Sequence, residues 1–277
     1  MTALSAQSYG PGDSHGYHTT WAMKAQPTPQ VRFVKLSDQV TRELARRIAN
    51  GEIGDGVPLP TELEICEEFG VSKATARDVI RSLAERGFVD VRQGRRMQLR
   101  RASEWNQLDP LMIELIDDPA VARRYLADVH YVRTLIEPEV AARAALEANE
   151  DQIARAGAAV ETMATLTSDP DAYLEADLAF HRELAAATGS VILAFVLESL
   201  GELQRLSRRV TNRLLKRLPE ATREHRRILE AVVAHEPEQA REAMQAHLLT
   251  VEHVWVPGEN DAEFDALFTN AGQLGRR

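Results

Sequence analysis

Residues Leu59–Val89 read LPTELEICEEFGVSKATARDVIRSLAERGFV, and VRQGRR follows at residues 91–96. Thr61 and Glu64 have capping-box spacing, in which each side chain satisfies a backbone amide that lacks a partner inside the helix. They open a short helix with Leu63, Cys66 and Phe69 inward, and Gly70 closes it. Ser72 caps the next helix, where Ala76, Val79 and Leu83 recur on one face and Gly87 marks the stop. The other face carries Lys73, Arg77 and Arg81 at four-residue intervals, aligned in one stripe. Phe88–Arg92 and Met97–Arg101 read as two short strands around the turn Gln93-Gly94-Arg95-Arg96. Upstream, Leu36, Val40, Leu44 and Ile48 repeat at helical spacing, and Asn50-Gly51 ends that helix. Three helices and a basic hairpin make a winged helix-turn-helix.

Such a module reads DNA in the major groove: the capped helix presents its N-terminal half to base edges while the preceding helix crosses the backbone. Arg77 is placed for bidentate contact with guanine, and Lys73 and Thr75 for bases or phosphates. Ser72 brings a hydroxyl and a helix N-terminus to a phosphate. Gly94 lets the wing backbone approach the duplex, with Arg95 and Arg96 on phosphates or in the minor groove. The competing reading, a solvated charged face on a small helical domain, explains the stripe but not the ordered series of caps, stripe and basic hairpin.

The same stretch resembles the DNA-binding domain of the GntR family of bacterial transcription regulators. The chain departs from that family at Leu63, where an Arg that contacts DNA is usual, and at Lys73, where Arg is usual. It also departs at Arg95-Arg96, which replace a Gly-Thr pair. The fold expectation survives these changes; the operator sequence does not follow from them.

The rest of the chain is a different kind of polypeptide. Its 277 residues predict two domains. Aromatics at 5%, with 15 Gly and 12 Pro, argue against a β-rich protein, and the dominant Ala, Leu, Glu and Arg are good helix formers. The single cysteine, Cys66, excludes an internal disulfide framework and fits a reducing cytoplasm. The longest strongly apolar run, Val191–Leu197, is far too short to span a bilayer, and no secretory signal opens the chain. The net charge of −9 conceals a split: residues 31–101 hold 14 basic and 11 acidic side chains, residues 102–277 hold 18 and 30. A basic binding module joined to an acidic, separately functioning one is expected. The boundaries read as a disordered arm at 1–30, in which His15 and His18 are isolated, and a winged helix at 31–101. A linker at 102–118, a helical domain at 119–256 and a tail at 257–277 follow. The predicted class is mainly α, with a small β-hairpin wing and an all-α C-terminal bundle.

In that bundle the 3.6-residue pattern draws helices over 120–148, 151–166, 171–187, 191–218, 220–234 and 237–256. Asp177 and His181 project from one face of one helix, while His225 and His247 lie on two others. One carboxylate and three imidazoles can surround a divalent cation and leave positions open for water or an anion. Spacing alone does not separate this from four ordinary core or surface side chains. EADLAFHRELAAATG, EHRRILEAV and AMQAHL, however, resemble the FCD effector domain found in the FadR-like branch of the GntR family. That resemblance implies a divalent metal, zinc ahead of nickel or manganese, on Asp177, His181, His225 and His247. It departs at Ser190, where Asn is usual. It also implies that Arg133, in YVRTLIEPEVAARAA, reaches the ligand pocket and grips a small carboxylate effector. The competing role for Arg133 is an ion pair with Glu137 on a solvated helix face. WNQLDP at residues 105–110 resembles the linker of members responding to sugar acids.

The expected protein is thus an effector-responsive regulator, a repressor binding a palindromic DNA operator as a homodimer in the bacterial cytoplasm, without membrane attachment. Two alternatives share its residues. In a metal-dependent hydrolase or lyase fused to a nucleic-acid module, the same four side chains would hold a catalytic metal; no motif supplies its general base, and Glu183 is only a neighbour. In a metal sensor, the cation itself would be the signal.

Overall fold

In the first helix, α1 (Leu36–Ala49), Val40, Leu44 and Ile48 are buried as their spacing requires, while Leu36 at its outer end is exposed. Helix α2 (Glu62–Phe69) carries the expected capping box: Thr61 Oγ1 accepts from the Glu64 amide at 3.3 Å, and Glu64 Oε2 accepts from the Thr61 amide at 2.6 Å. Its core residue is Ile65, fully buried, with Cys66 and Phe69 packed partly against the same core. Leu63 does not point inward; it is 57% exposed. Two residues from Ile65 along a helix is about 200° of rotation, so burying Ile65 turns Leu63 to solvent. Helix α3 (Lys73–Glu85) buries Ala76, Val79 and Leu83 and presents Lys73, Arg77 and Arg81 outward. Strands β1 (Val89–Asp90) and β2 (Gln98–Leu99), shorter than the sequence pattern, pair antiparallel with Val89 opposite Leu99.

The computed structural model describes residues 35–54, 58–92, 97–215, 217–258 and 261–269. The expected arm at 1–30 and the wing-tip residues Gly94, Arg95 and Arg96 lie outside them. All twelve described helices fall in one unit, Leu36–Arg277.

The segment read as a linker with one short helical piece is packed against both cores. After a 3-10 turn at Ala102–Glu104, the Trp105 ring lies 4.8 Å from that of Phe88, and the Asn106 amide donates to the Arg86 carbonyl at 2.9 Å. Gly87 permits this approach: its φ is +80°, and a Cβ there would stand 2.8 Å from the Glu104 carbonyl oxygen. Helix α4 (Leu111–Glu114) follows. Leu111 and Leu115 belong to the winged-helix core, whereas Ile113 packs with Ala122 and Leu126 of the next domain.

That domain consists of α5 (Pro119–Glu147), α6 (Glu150–Thr165), α7 (Pro170–Ala187), α8 (Val191–Ser199), α9 (Gly201–Leu215), α10 (Leu218–Val233), α11 (Pro237–Leu249) and α12 (Asp261–Thr269). Three differences from the sequence pattern have physical causes. The helix expected over 191–218 is two, broken where Gly201 lowers helix propensity and ended before Pro219, which starts a helix better than it continues one. The helix expected to reach Val256 stops at Leu249, where the Thr250 hydroxyl donates back to the His247 carbonyl at 2.6 Å; a 3-10 turn, Glu252–Trp255, follows. The tail forms α12, pinned by fully buried Phe264, whose ring lies 4.1 Å under the Arg123 guanidinium, and by an Arg123–Asp261 ion pair at 2.9 Å. No helix among the described residues is long and apolar enough to cross a membrane.

Ile65→Ala is expected to cost about 2–5 kcal/mol and Leu63→Ala no more than about 0.5 kcal/mol, read from urea unfolding midpoints. Equal losses would place Leu63 in the core after all.

Candidate metal centre and nucleic-acid interface

Helix α7 carries Asp177 and His181, α10 carries His225 and α11 carries His247; all four are buried. One potential ligand atom from each lies within 4.8 Å of the others. Each imidazole has its Nδ1 already engaged: His181 with Glu137 Oε2 at 2.9 Å, His225 with the Ala221 carbonyl at 2.7 Å, and His247 with Glu224 Oε2 at 2.9 Å. All three partners are acceptors, so each Nδ1 carries a proton, which leaves Nε2 of a neutral ring as the ligating atom. His181 Nε2 faces His225 Nε2 at 3.2 Å, and His225 Nε2 faces Asp177 Oδ1 at 2.9 Å. These contacts bring imidazole nitrogens and a carboxylate oxygen onto one point. The donor set fits a divalent cation, with carboxylates and a carbonyl orienting its imidazoles from behind.

Electrostatics point the same way. Burial pushes His181 down to about 3, with Arg208 adding to the effect, and burial with neighbouring His225 pushes His247 down to about 4. Both are therefore neutral and able to ligate at neutral pH. Burial alone would raise Glu137 and Asp177, but Arg133 and Arg208 outweigh it for Glu137, and Arg208 leads for Asp177; both carboxyls lie well below the usual range.

Arg133 is neither on a solvated face nor alone. It is fully buried, and its Nε donates to Glu137 Oε1 at 2.7 Å. Arg208 of α9 bridges the two acids, donating to Asp177 Oδ2 at 3.1 Å and to Glu137 at 3.0 and 3.2 Å. A cavity of about 30 Å³ beside the imidazoles is lined by Arg133, Arg208, Asn212, Arg217, His225 and His247 among others. Asn212 Nδ2 and Arg217 Nη1 are buried there without hydrogen-bond partners. Arg208, Asn212, Arg217, Glu137 and Glu224 are additions to the expected set. Arg208 lies in the basic stretch SRRVTNR, which reads as a charged surface; its sharing a face with Gln204 and Thr211, all buried, was the available signal. Glu183 pairs with Arg155 at 2.8 Å and does not line the cavity; Ser190 caps α8.

On the winged helix, Ser72 Oγ accepts from the Thr75 amide at 3.1 Å and lies 3.0 Å from Thr75 Oγ1, so both serve the cap. Lys73 is exposed. Arg77 extends into solvent with its Nε held at 3.0 Å by Glu62 of α2, and Arg81 pairs with Asp78. A groove of about 550 Å³ runs between Arg77, Ile80 and Arg81 on α3 and Val91 and Met97 beside the wing.

A recognition helix with an outward basic stripe, joined to an all-helical domain holding a buried Asp/His cluster, defines a ligand-linked DNA-binding regulator. Residues 36–99 match the family described as bacterial regulatory proteins, gntR family, and residues 128–250 match the FCD domain. The chain belongs to the GntR family, in the group that carries an FCD domain. It is 26% identical over 208 residues to the galactonate operon transcriptional repressor of Escherichia coli (strain K12), covering 75% of this chain and 91% of the relative. It is 27% identical over 226 residues to the HTH-type transcriptional repressor NanR of the same strain, covering 80% and 84%. The solved structure of Lar, which controls expression of the Listeria monocytogenes agr system, shares the fold over 81% of this chain and 98% of that one, with TM-score 0.55 and 19% identity. Membership makes the chain a transcription regulator rather than an enzyme, of a family that binds operator DNA, typically as dimers.

The neutral imidazoles set a pH dependence. The folded protein keeps His181 neutral down to about 3 and His247 down to about 4, whereas the ordinary histidine value is 6.5. Below that value the unfolded chain takes up protons that the folded state refuses, so stability falls as pH falls. Chelator-treated protein is expected to lose melting temperature steadily from pH 7 to pH 4, and His181→Gln to flatten that slope. A flat wild-type profile would show that the histidines are not buried in neutral form.

Proposed function

We propose that the chain is a repressor that binds a palindromic operator as a homodimer in the cytoplasm, and whose operator affinity is set by a small carboxylate bound beside a divalent ion. Asp177, His181, His225 and His247 hold the ion, zinc ahead of nickel or manganese. When bound, the ion supplies positive charge and open coordination positions for an anion.

The charge balance of the buried site carries this reading. Arg133 and Arg208 are matched by Glu137 and Asp177, and two of the three imidazoles are held neutral by burial. A divalent ion therefore adds two uncompensated charges to a buried site, and an unpaired buried charge is costly. An anionic ligand cancels that excess. Arg133 donates to Glu137 through Nε and lines the cavity, which places its guanidinium to meet a carboxylate there. The unpartnered Asn212 Nδ2 and Arg217 Nη1 suit hydroxyl or carboxylate oxygens of the same ligand. The galactonate operon named for one relative and the WNQLDP segment make a sugar acid the first class to test.

A cavity of about 30 Å³ holds no more than roughly two waters, so a sugar acid enters only if the surrounding helices give way. Binding is then coupled to a change of helix arrangement, and the effector shifts operator affinity by its difference in affinity between the two arrangements.

DNA is read by α3: Lys73, Thr75 and Arg77 toward the bases, Ser72 toward a phosphate, and Gly94, Arg95 and Arg96 on the wing. Arg77→Ala is expected to weaken specific operator binding by about 1–3 kcal/mol, the value of one bidentate guanine contact, while sparing non-specific binding. Mobility-shift titrations at several salt concentrations decide it, and unchanged specific affinity would remove Arg77 from base reading.

Arg133→Lys tests the effector half, because it keeps a positive charge beside Glu137 and removes the planar fork. Its expected phenotype is near wild-type operator affinity and metal content with a weakened response to any sugar acid that shifts the wild type. The readout is operator affinity with and without galactonate, gluconate and smaller hydroxy acids. A wild-type response in Arg133→Lys would reduce Arg133 to a buried partner of Glu137.

A further inference from the structure

Helix α12 lies beyond residue 250, where the match to the FCD domain ends. It is nine residues long, too short to stay helical in water by itself, so it is ordered only while docked. Two contacts hold it. Phe264, fully buried, shares an apolar cluster with Leu126 of α5, Val210 of α9 and Ile113 of α4, and Leu267 packs at its edge. Asp261 is the carboxylate that balances Arg123, a guanidinium only 4% exposed whose Nη1 donates to the Val254 and Val256 carbonyls.

We propose that α12 is a releasable strap, which holds α9 closed over the cavity beside the imidazoles and steadies α4 at the same time. The two faces of α9 point to this role. Arg208 and Asn212 turn one side of that helix to the cavity. Leu206, Val210 and Leu214, about 200° away by helix geometry, turn the other side to the cluster that Phe264 fills. Of the α9 residues whose burial is described only Glu202 is exposed, so the helix is enclosed on both faces. The cavity is too small for a sugar acid, and widening it on this side pushes Val210 into Phe264. Undocking relieves that clash at once, because so short a helix melts rather than shifts. Release leaves Arg123 buried without its carboxylate and uncovers the apolar cluster, so the strap stays closed when nothing fills the cavity. Ile113 lies in the same cluster, so release also loosens α4, whose Leu111 and Leu115 sit in the winged-helix core. What opens the strap rests on the effector reading above; the strap itself does not.

Hydrogen exchange on the full chain, with galactonate and operator titrations beside it, tests the strap. Without ligand, Phe264→Ala is expected to speed amide exchange in α9 and α4 at least about tenfold and to leave α6 unchanged. Asp261→Asn, which keeps the apolar anchor, is expected to act on the same helices by about threefold. Unchanged exchange in α9 and α4 would overturn the strap. Where Phe264→Ala speeds exchange throughout the domain, Asp261→Asn decides. Galactonate is the probe for coupling: with the closing cost removed, its binding is expected to tighten about five- to tenfold in Phe264→Ala. Ligand-free operator affinity of that variant is expected to move toward the wild-type value with galactonate. Faster α9 exchange with unchanged galactonate binding would overturn the link to the cavity. If galactonate binds neither protein, this sugar acid is not the effector, and exchange alone decides the strap.

Discussion

Glu137 is the group around which the helical domain is arranged. Its carboxylate accepts from Arg133 on its own helix, from Arg208 on α9 and from His181 on α7. A buried carboxylate is tolerated only when such partners are all present, and removing one leaves the others as uncompensated charge. Asp177 repeats the pattern one step further in, shared between Arg208 and His225. The two acids and two guanidiniums thus form one neutral assembly spanning α5, α7 and α9, and its far side fixes the imidazoles. A bundle held by apolar packing alone would let these helices slide in small steps; four mutually dependent charges admit few arrangements.

The same network explains why the imidazoles face one another. Nothing in a three-histidine cluster is stable by itself: neutral rings bring lone pairs into contact, and charged rings repel. Holding each Nδ1 as a donor, through Glu137, Ala221 and Glu224, settles the tautomers and concentrates the acceptors on one point. A polar cluster in a helical core is in this way turned toward a cation, not toward stability for its own sake.

The winged helix was legible in its caps, periodicity and glycines because these are local signals: Thr61 with Glu64, Ser72, Gly70 and Gly87 act within a few residues of themselves. The four candidate ligands were legible as residue types, and the fold brings them together. What the sequence concealed is non-local. Arg208 looks like its surface neighbours until Glu137, 71 residues away, is placed beside it. Leu63 looks like a core residue until Ile65 claims the inward line of an eight-residue helix. The apolar letters of α8 look like core in any periodicity argument, because hydrophobicity does not say which partner covers a face.

The segment between the domains shows why the two halves are not independent beads. Helix α4 is only four residues long, yet Leu111 and Leu115 sit in the core of the winged helix while Ile113 sits with Ala122, Leu126 and Trp255. Polar contacts reinforce both sides: Arg86 with Asp109, Arg42 with Glu114 at 3.2 Å, and the Tyr125 hydroxyl donating to the Gln107 carbonyl. From Trp255 the packing continues inward, its ring 5.9 Å from that of His130, which lies one turn before Arg133 on α5. Both His130 ring nitrogens and Trp255 Nε1 are buried without hydrogen-bond partners, and burial pushes His130 down to about 3, so this contact is held by packing alone. Packing without directional bonds is the part of such a chain that tolerates two arrangements, whereas the ionic assembly beside it does not. A shift of α5 at the cavity would move the His130–Trp255 contact without breaking a hydrogen bond there, and side chains already in contact lead from it to α4. Close packing transmits such a shift because it has no slack to take it up.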